Sequence, residues 1–216
     1  MTVPLRPRSL DFQVIEDGLL RDLAERGRLT SFGKGDVLIR EGDRGDTMLV
    51  ILSGRVKVFS SNSDGKEVIF STWGVGEIIG EMALDHGTRS ASVMAMEATT
   101  CSVINHEELR RYIAAHPDFA MQLIAKLISR TRSAVDSLRQ MALLDVHGRL
   151  VKLLSSLTPD HKGIGNVTER LSQQELADRV GASRDMVSRI LHSLEEEGYV
   201  EIRSRQIEVL RPLPKD

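Results

Sequence analysis

Two clusters in this sequence combine residue types and spacings that can do chemistry. The first is Gly80-Glu81-Met82-Ala83-Leu84-Asp85-His86-Gly87-Thr88-Arg89-Ser90-Ala91. Gly80 permits close approach of a ligand to the backbone, and a helical turn starting at Glu81 would aim N–H groups outward at an anion. Arg89 can add a forked, charge-assisted contact to a phosphate, with the Ser90 hydroxyl beside it, while Glu81 can accept from a ribose hydroxyl. The same residues also suit a roll corner with a surface arginine, and on their own they leave both readings open. The second cluster is Arg184, Asp185, Ser188 and Arg189. Arg184 and Arg189 suit guanine O6 and N7, Asp185 suits cytosine N4, and Ser188 serves a base or a phosphate. A lone arginine is solvated surface; an arginine, an acid, a hydroxyl and a second arginine together point to base edges.

The second cluster needs a helix to present it, and the local signals supply one. Leu171-Ser172-Gln173-Gln174-Glu175-Leu176 contains a Ser-x-x-Glu capping box and a Leu171/Leu176 hydrophobic staple, so a helix starts at Gln173 and runs to Val180. Gly181-Ala182 makes the turn and Ser183 caps the next helix. There Val187, Ile190, Leu191 and Leu194 share one face, with Arg184, Asp185, Ser188, Arg189 and His192 on the other; His192 lies a turn back, toward solvent or a phosphate. This is the layout of a helix-turn-helix whose second helix leads into the major groove. After Gly198, Val200 to Ile202 and Ile207 to Leu210 form a hairpin wing through Arg203-Ser204-Arg205-Gln206. The candidate DNA-contacting set is Ser172, Gln173, Ser183, Arg184, Asp185, Ser188, Arg189, Arg203 and Arg205.

The first cluster sits among short strands. From Ser31 onward glycines punctuate β-branched runs: Val37 to Arg40, Met48 to Leu52, Val56 to Phe59, Val68 to Thr72, Ala91 to Ala95 and Thr100 to Ile104 read as strands, with Asp64-Gly65 as a hairpin turn. Near-even spacing predicts an antiparallel roll or sandwich. Residues before about 30 show only a weak helical pattern, in which Leu19, Leu20 and Leu23 could face a core.

Between the clusters, Pro117 to His147 contains no internal Gly or Pro and predicts one helix of about 45 Å, with Gly148 as hinge or C-cap. Met121, Ile124, Ile128, Thr131, Val135, Leu138 and Ala142 alternate spacings of three and four, the seam of a coiled coil. Charged flanks, including Lys126, Arg130, Arg132, Asp136 and Arg139, leave a stripe that fits a second copy of itself and predict a homodimer; packing within one chain is the alternative. A second apolar helix through Leu150, Leu153, Leu154 and Leu157 follows, then an exposed loop from Thr158 to Asn166. The expected fold is α+β: an effector-sensing β-roll domain over 1–116, a dimerisation helix and hinge over 117–147, and a winged helix-turn-helix over 148–216.

Composition narrows the function. A net charge of −2 rules out wholesale attraction to nucleic acid, so any DNA contact comes from a local basic patch. The single cysteine, Cys101, excludes a disulfide within the chain, a Cys-based zinc site and an iron-sulfur cluster, and its apolar neighbourhood reads as a buried structural thiol. No signal-peptide core and no membrane-spanning run is present, which predicts a soluble cytoplasmic protein without a membrane partner. Gly-x-Ser-x-Gly and metal-spaced His/Glu pairs are missing, and Gly74-x-Gly76-x-x-x-Gly80 lacks the long helix of a dinucleotide fingerprint. An enzyme is not expected.

Gly-Glu-x-Ala-Leu followed by Arg-Ser-Ala resembles the phosphate-binding cassette of cyclic-nucleotide-binding domains, although the stretch from Glu81 to Arg89 is one or two residues shorter. Farther on, Asp145-Val146-x-Gly148-Arg149, Gln174-Glu175-Leu176-Ala177, Val180-Gly181-Ala182-Ser183-Arg184 and Val187-Ser188-Arg189-Ile190-Leu191 resemble the bacterial cyclic-AMP receptor/fumarate-nitrate regulator (Crp/Fnr) superfamily. The resemblance implies that Glu81 holds the ribose 2′-hydroxyl, that Arg89 and Ser90 hold the cyclic phosphate, and that Gly80 and Met82 complete the grip. It also implies a base-contacting pair at Ala134 and Val135, where the Thr-Ser hydroxyls of cyclic-AMP-binding members are missing.

The expected function is therefore a homodimeric transcription regulator on a palindromic operator in double-stranded DNA, with RNA polymerase as a partner through the Thr158 to Asn166 loop. Cyclic AMP is the expected effector; cyclic di-GMP or no ligand are the alternatives. No metal, iron-sulfur cluster or haem is expected; His86 and His106, the conceivable haem ligands, read as loop histidines. A cyclic-nucleotide module serving a kinase or channel fits less well, because the C-terminal third is a DNA reader.

Overall fold

A computed structural model describes residues 12, 15–65, 67–85, 87–157, 166–167, 171–203 and 206–214. The chain forms two compact units, Met1–Leu127 and Ile128–Asp216, and the division falls inside the long helix.

In the first unit, helix α1 (Gly18–Arg26) precedes strands β1 (Arg28–Phe32), β2 (Val37–Ile39), β3 (Thr47–Ser53), β4 (Val56–Ser61), β5 (Glu67–Trp73) and β6 (Ile78–Ile79). A short 3-10 helix (Glu81–Asp85), β7 (Ser92–Ala95), β8 (Thr99–Asn105) and α2 (His106–Ala115) follow, then the start of α3 (Pro117–Leu143). The strands make two antiparallel sheets, ordered β1-β8-β3-β6 and β2-β7-β4-β5.

The alternation of β3 explains how both faces of its sheet are filled. Leu49 and Ile51 pack with Ile39, Val56, Ile79, Val93 and Cys101. Met48, Val50 and Leu52 turn the other way, onto Leu20 and Leu23 of α1, Leu109 and Tyr112 of α2, and Phe119 and Leu123 of α3. Burial pushes the Cys101 thiol up to about 12, which makes it the inert structural thiol its neighbours predicted. Two long-range bonds tie α1 to the unit: Tyr112 Oη donates to the Leu19 carbonyl (2.6 Å) and Ser102 Oγ to the Ala24 carbonyl (2.6 Å).

The second unit holds the rest of α3, α4 (Val146–Ser156), β9 (Asn166–Val167), α5 (Gln173–Val180), α6 (Arg184–Glu196), β10 (Val200–Arg203) and β11 (Gln206–Val209). Its antiparallel sheet runs β10-β11-β9. One core joins Leu150 and Leu154 of α4, Leu176 and Val180 of α5, and Val187, Leu191 and Leu194 of α6 to Val200, Ile207 and Val209 of the wing.

Four expectations need correction. The long helix ends at Leu143 rather than His147, because the Asp145 carboxylate caps α4 and accepts from the Gly148 N–H (2.8 Å). Gly148 is thus buried inside α4 and is neither hinge nor C-cap. The stretch read as loop to Asn166 ends in strand, since Asn166 and Val167 pair with β11; residues 158–165 lie outside those described. His106 is the first residue of α2, not a loop histidine, because Asn105 accepts from the Glu108 N–H (2.8 Å) and starts a helix there; His86 lies outside the described residues.

Candidate functional site

The Gly80–Ser90 cassette is laced to the loop between β2 and β3 by backbone pairs. Gly42 N–H donates to the Arg89 carbonyl (2.9 Å), Arg89 N–H donates to the Asp43 carbonyl (2.9 Å), and Arg44 bridges Thr88. Arg89 follows this lacing inward and is buried, 8% exposed. Its Nη1 donates to the Gly80 carbonyl (2.9 Å), and its Nη2 donates to the Thr47 carbonyl (2.7 Å) and Thr47 Oγ1 (3.1 Å). Only glycine allows this path: a Cβ on Gly45 would lie 2.1 Å from Arg89 Nε, and one on Gly80, where φ is +80°, would lie 2.6 Å from Nη1.

Burial lowers the Arg89 pKa, and the carboxylates of Asp46 and then Glu81 pull it back up. A guanidinium stays charged under such opposing effects. The bonds to Gly80 and Thr47 engage three of its five N–H groups. Glu81 is half-buried. Ser90 is exposed, and its hydroxyl donates to the exposed Met82 thioether (3.0 Å). Sequence reasoning singled out Gly80, Glu81, Met82, Arg89 and Ser90 but missed Gly45 and Thr47. No local signal links Thr47 to Arg89, 42 residues away.

In the second unit the local signals act as written in the sequence. Ser172 and Glu175 exchange both bonds of the capping box, so the Ser172 hydroxyl is taken up by the cap. Gly181 closes α5 in the left-handed region (φ 67°), and Ser183 Oγ accepts from the Met186 N–H (3.2 Å) to start α6. With Val187, Leu191 and Leu194 buried, Arg184, Asp185, Arg189 and His192 are exposed, while Ser188 and Gln173 are half-buried. His192 lies 3.3 Å from Glu196.

Arg203 on the wing is exposed and doubly bonded to Glu201 (2.7 and 2.6 Å), which raises its pKa. It offsets Glu201 and Glu208, which face each other across the strands. Arg205 lies outside the described residues. Arg149, quoted above only as part of a motif, links two helix ends: its Nη1 donates to the Leu144 carbonyl (2.8 Å) and its Nε to the Val180 carbonyl (2.9 Å).

Along α3 only Phe119 and Leu123 are buried. The seam residues Met121, Ile124, Ile128, Val135 and Leu138 are 47–66% exposed, and Thr131, Ala134 and Ala142 are exposed with them. The nearby Ser137 hydroxyl is turned back onto the Ser133 carbonyl (3.0 Å).

An antiparallel roll of the cyclic-nucleotide-binding kind, followed by a capped helix-turn-helix with a wing, defines a class of effector-linked DNA-binding regulators. Residues 29–116 match the family model of the cyclic nucleotide-binding domain, and residues 148–212 match that of the Crp-like helix-turn-helix domain. The chain is 34% identical over 179 residues to the cyclic AMP receptor protein of Thermus thermophilus, covering 82% of each chain. It is 29% identical over 201 residues to the CRP-like cAMP-activated global transcriptional regulator of Mycobacterium tuberculosis, covering 91% of this chain and 90% of the relative. Its fold resembles that of the c-di-GMP responsive global regulator of Xanthomonas campestris, with a TM-score of 0.78 and 25% identity over 89% of this chain and 98% of that one.

The chain belongs to the Crp/Fnr family. It is a transcription regulator with a cyclic nucleotide-binding domain and a DNA-binding helix-turn-helix domain, not an enzyme. Among the described residues no helix is long and apolar enough to cross a membrane.

Proposed function

We propose that the protein is a cytoplasmic homodimer that binds a palindromic operator under the control of cyclic AMP held by Gly80, Glu81, Arg89 and Ser90. The observation that carries the effector assignment is Arg89 itself, a charged guanidinium held against two glycine backbones beside Glu81. Relatives named for cyclic AMP support the choice of nucleotide. The exposed seam of α3 supports the dimer, because a stretch of helix with so much apolar surface in water is marginal until a partner covers it. The exposed Arg184, Asp185 and Arg189 support entry of α6 into the major groove, with half-sites about 34–36 Å apart. Effector and operator then bind with reciprocal coupling, typically about 1–3 kcal/mol. RNA polymerase is the further partner.

A second reading, a dimer that binds DNA with no nucleotide or with cyclic di-GMP, is favoured by one feature: Ala134 and Val135 carry no hydroxyl for an adenine. Calorimetric titration with cyclic AMP, cyclic GMP and cyclic di-GMP, beside an Arg89→Ala control, separates the two. Cyclic AMP should bind the natural chain, tighten its grip on an operator, and fail on the variant. Operator binding that is equally tight with and without any of the three nucleotides selects the ligand-independent dimer.

A further inference from the structure

The leading turn of α6 carries a residue that neither the core nor the polar reading face explains. Met186 is 37% exposed, and among the described residues of α6 it is the large apolar side chain left in solvent. Val187, Leu191 and Leu194 already fill the core face. The Met186 thioether lies 3.8 Å from Arg189 Nη2, one turn along, so the two side chains project together.

That separation is close to one base-pair step, about 3.4 Å. Where the Arg189 guanidinium reaches a guanine edge, a Met186 tip this close to it is within reach of the neighbouring base pair. In the major groove the apolar group on offer is the thymine C5-methyl. A thioether chain is flexible and polarizable enough to settle against it.

We infer that Met186 is a specificity-determining residue that selects thymine next to the guanine contacted by Arg189, the thioether also steadying that guanidinium. This rests on the groove assignment proposed above. The test selects operators from a randomised palindromic library with the full chain, with and without cyclic AMP, and then replaces each selected thymine by deoxyuridine, which lacks only the methyl.

One thymine per half-site, beside a guanine, should weaken binding about fourfold when replaced, the worth of one buried methyl. Met186→Ala should bind the thymine and uracil operators equally. Met186→Leu should keep the uracil penalty and relax the guanine preference. A half-site without thymine at that step, or a uracil penalty that survives in Met186→Ala, overturns the inference. Arg189→Ala separates the two failures. If it leaves every base preference intact, the groove assignment fails; if it blurs the guanine while uracil costs nothing in the natural chain, only the role of Met186 fails.

Discussion

The cassette and the reading head bring charged side chains to their working positions by opposite routes. In the head each step is local: Ser172 answers Glu175, Ser183 answers Met186, and Gly181 sits between them, so Arg184, Asp185 and Arg189 stand in solvent on a helix already fixed by its own caps. In the cassette the buried Arg89 is placed by partners outside any local window, held under Gly45 and against the carbonyls of Gly80, 9 residues away, and Thr47, 42 residues away. Charge meant for a polyanion can be left in water, where long-range steering helps capture. A charge that holds one phosphate, the role proposed for Arg89, gains from a shielded, preorganised seat, because each bond is stronger there.

Three substitutions sharpen or break this contrast. Leu191→Ala, in the shared core of the head, should cost about 2–5 kcal/mol in urea unfolding and abolish operator binding, while nucleotide binding by the roll persists. Gly80→Ala should cost about 2–3 kcal/mol: a left-handed residue gains a Cβ, and that Cβ meets Arg89 and the Thr47 carbonyl. Nucleotide titration should then fail although the head still folds. Ser172→Ala should cost only about 1 kcal/mol, since one cap is lost while the rest of α5 stays packed. If Ser172→Ala proves costlier than Gly80→Ala, the roles assigned to local caps and distant lacing are reversed.

The same distinction decides what could be read from the sequence. The helix-turn-helix and its wing were legible because caps, turn glycine and apolar periodicity all act within a few residues. The roll was legible as strands between glycines, yet β1, the two-residue β6 and α2 were not. Strand β1 follows directly on α1 after Gly27, and α2 starts at the residue after β8, with Asn105 as its cap. Asn105 three residues before Glu108 was a usable signal, masked by the strand it ends.

Gly148 drew the helix end too far because glycine is the usual terminator, whereas a carboxylate three residues earlier set the break. In the candidate site, Glu81, Arg89 and Ser90 stood out by type. That Arg89 would be buried, and held by Thr47, depends on a pairing across 42 residues that no window in the sequence displays.

Arg149 has a mechanical consequence. One guanidinium grips the carbonyl of Leu144, just past the end of α3, and the carbonyl of Val180, the last residue of α5. Rotating either without the other breaks charge-assisted bonds of about 1.5–3 kcal/mol each. Within this unit the residue after α3 and the last residue of α5 are thus riveted through one side chain, so that displacing Leu144 costs a bond unless Val180 moves with it.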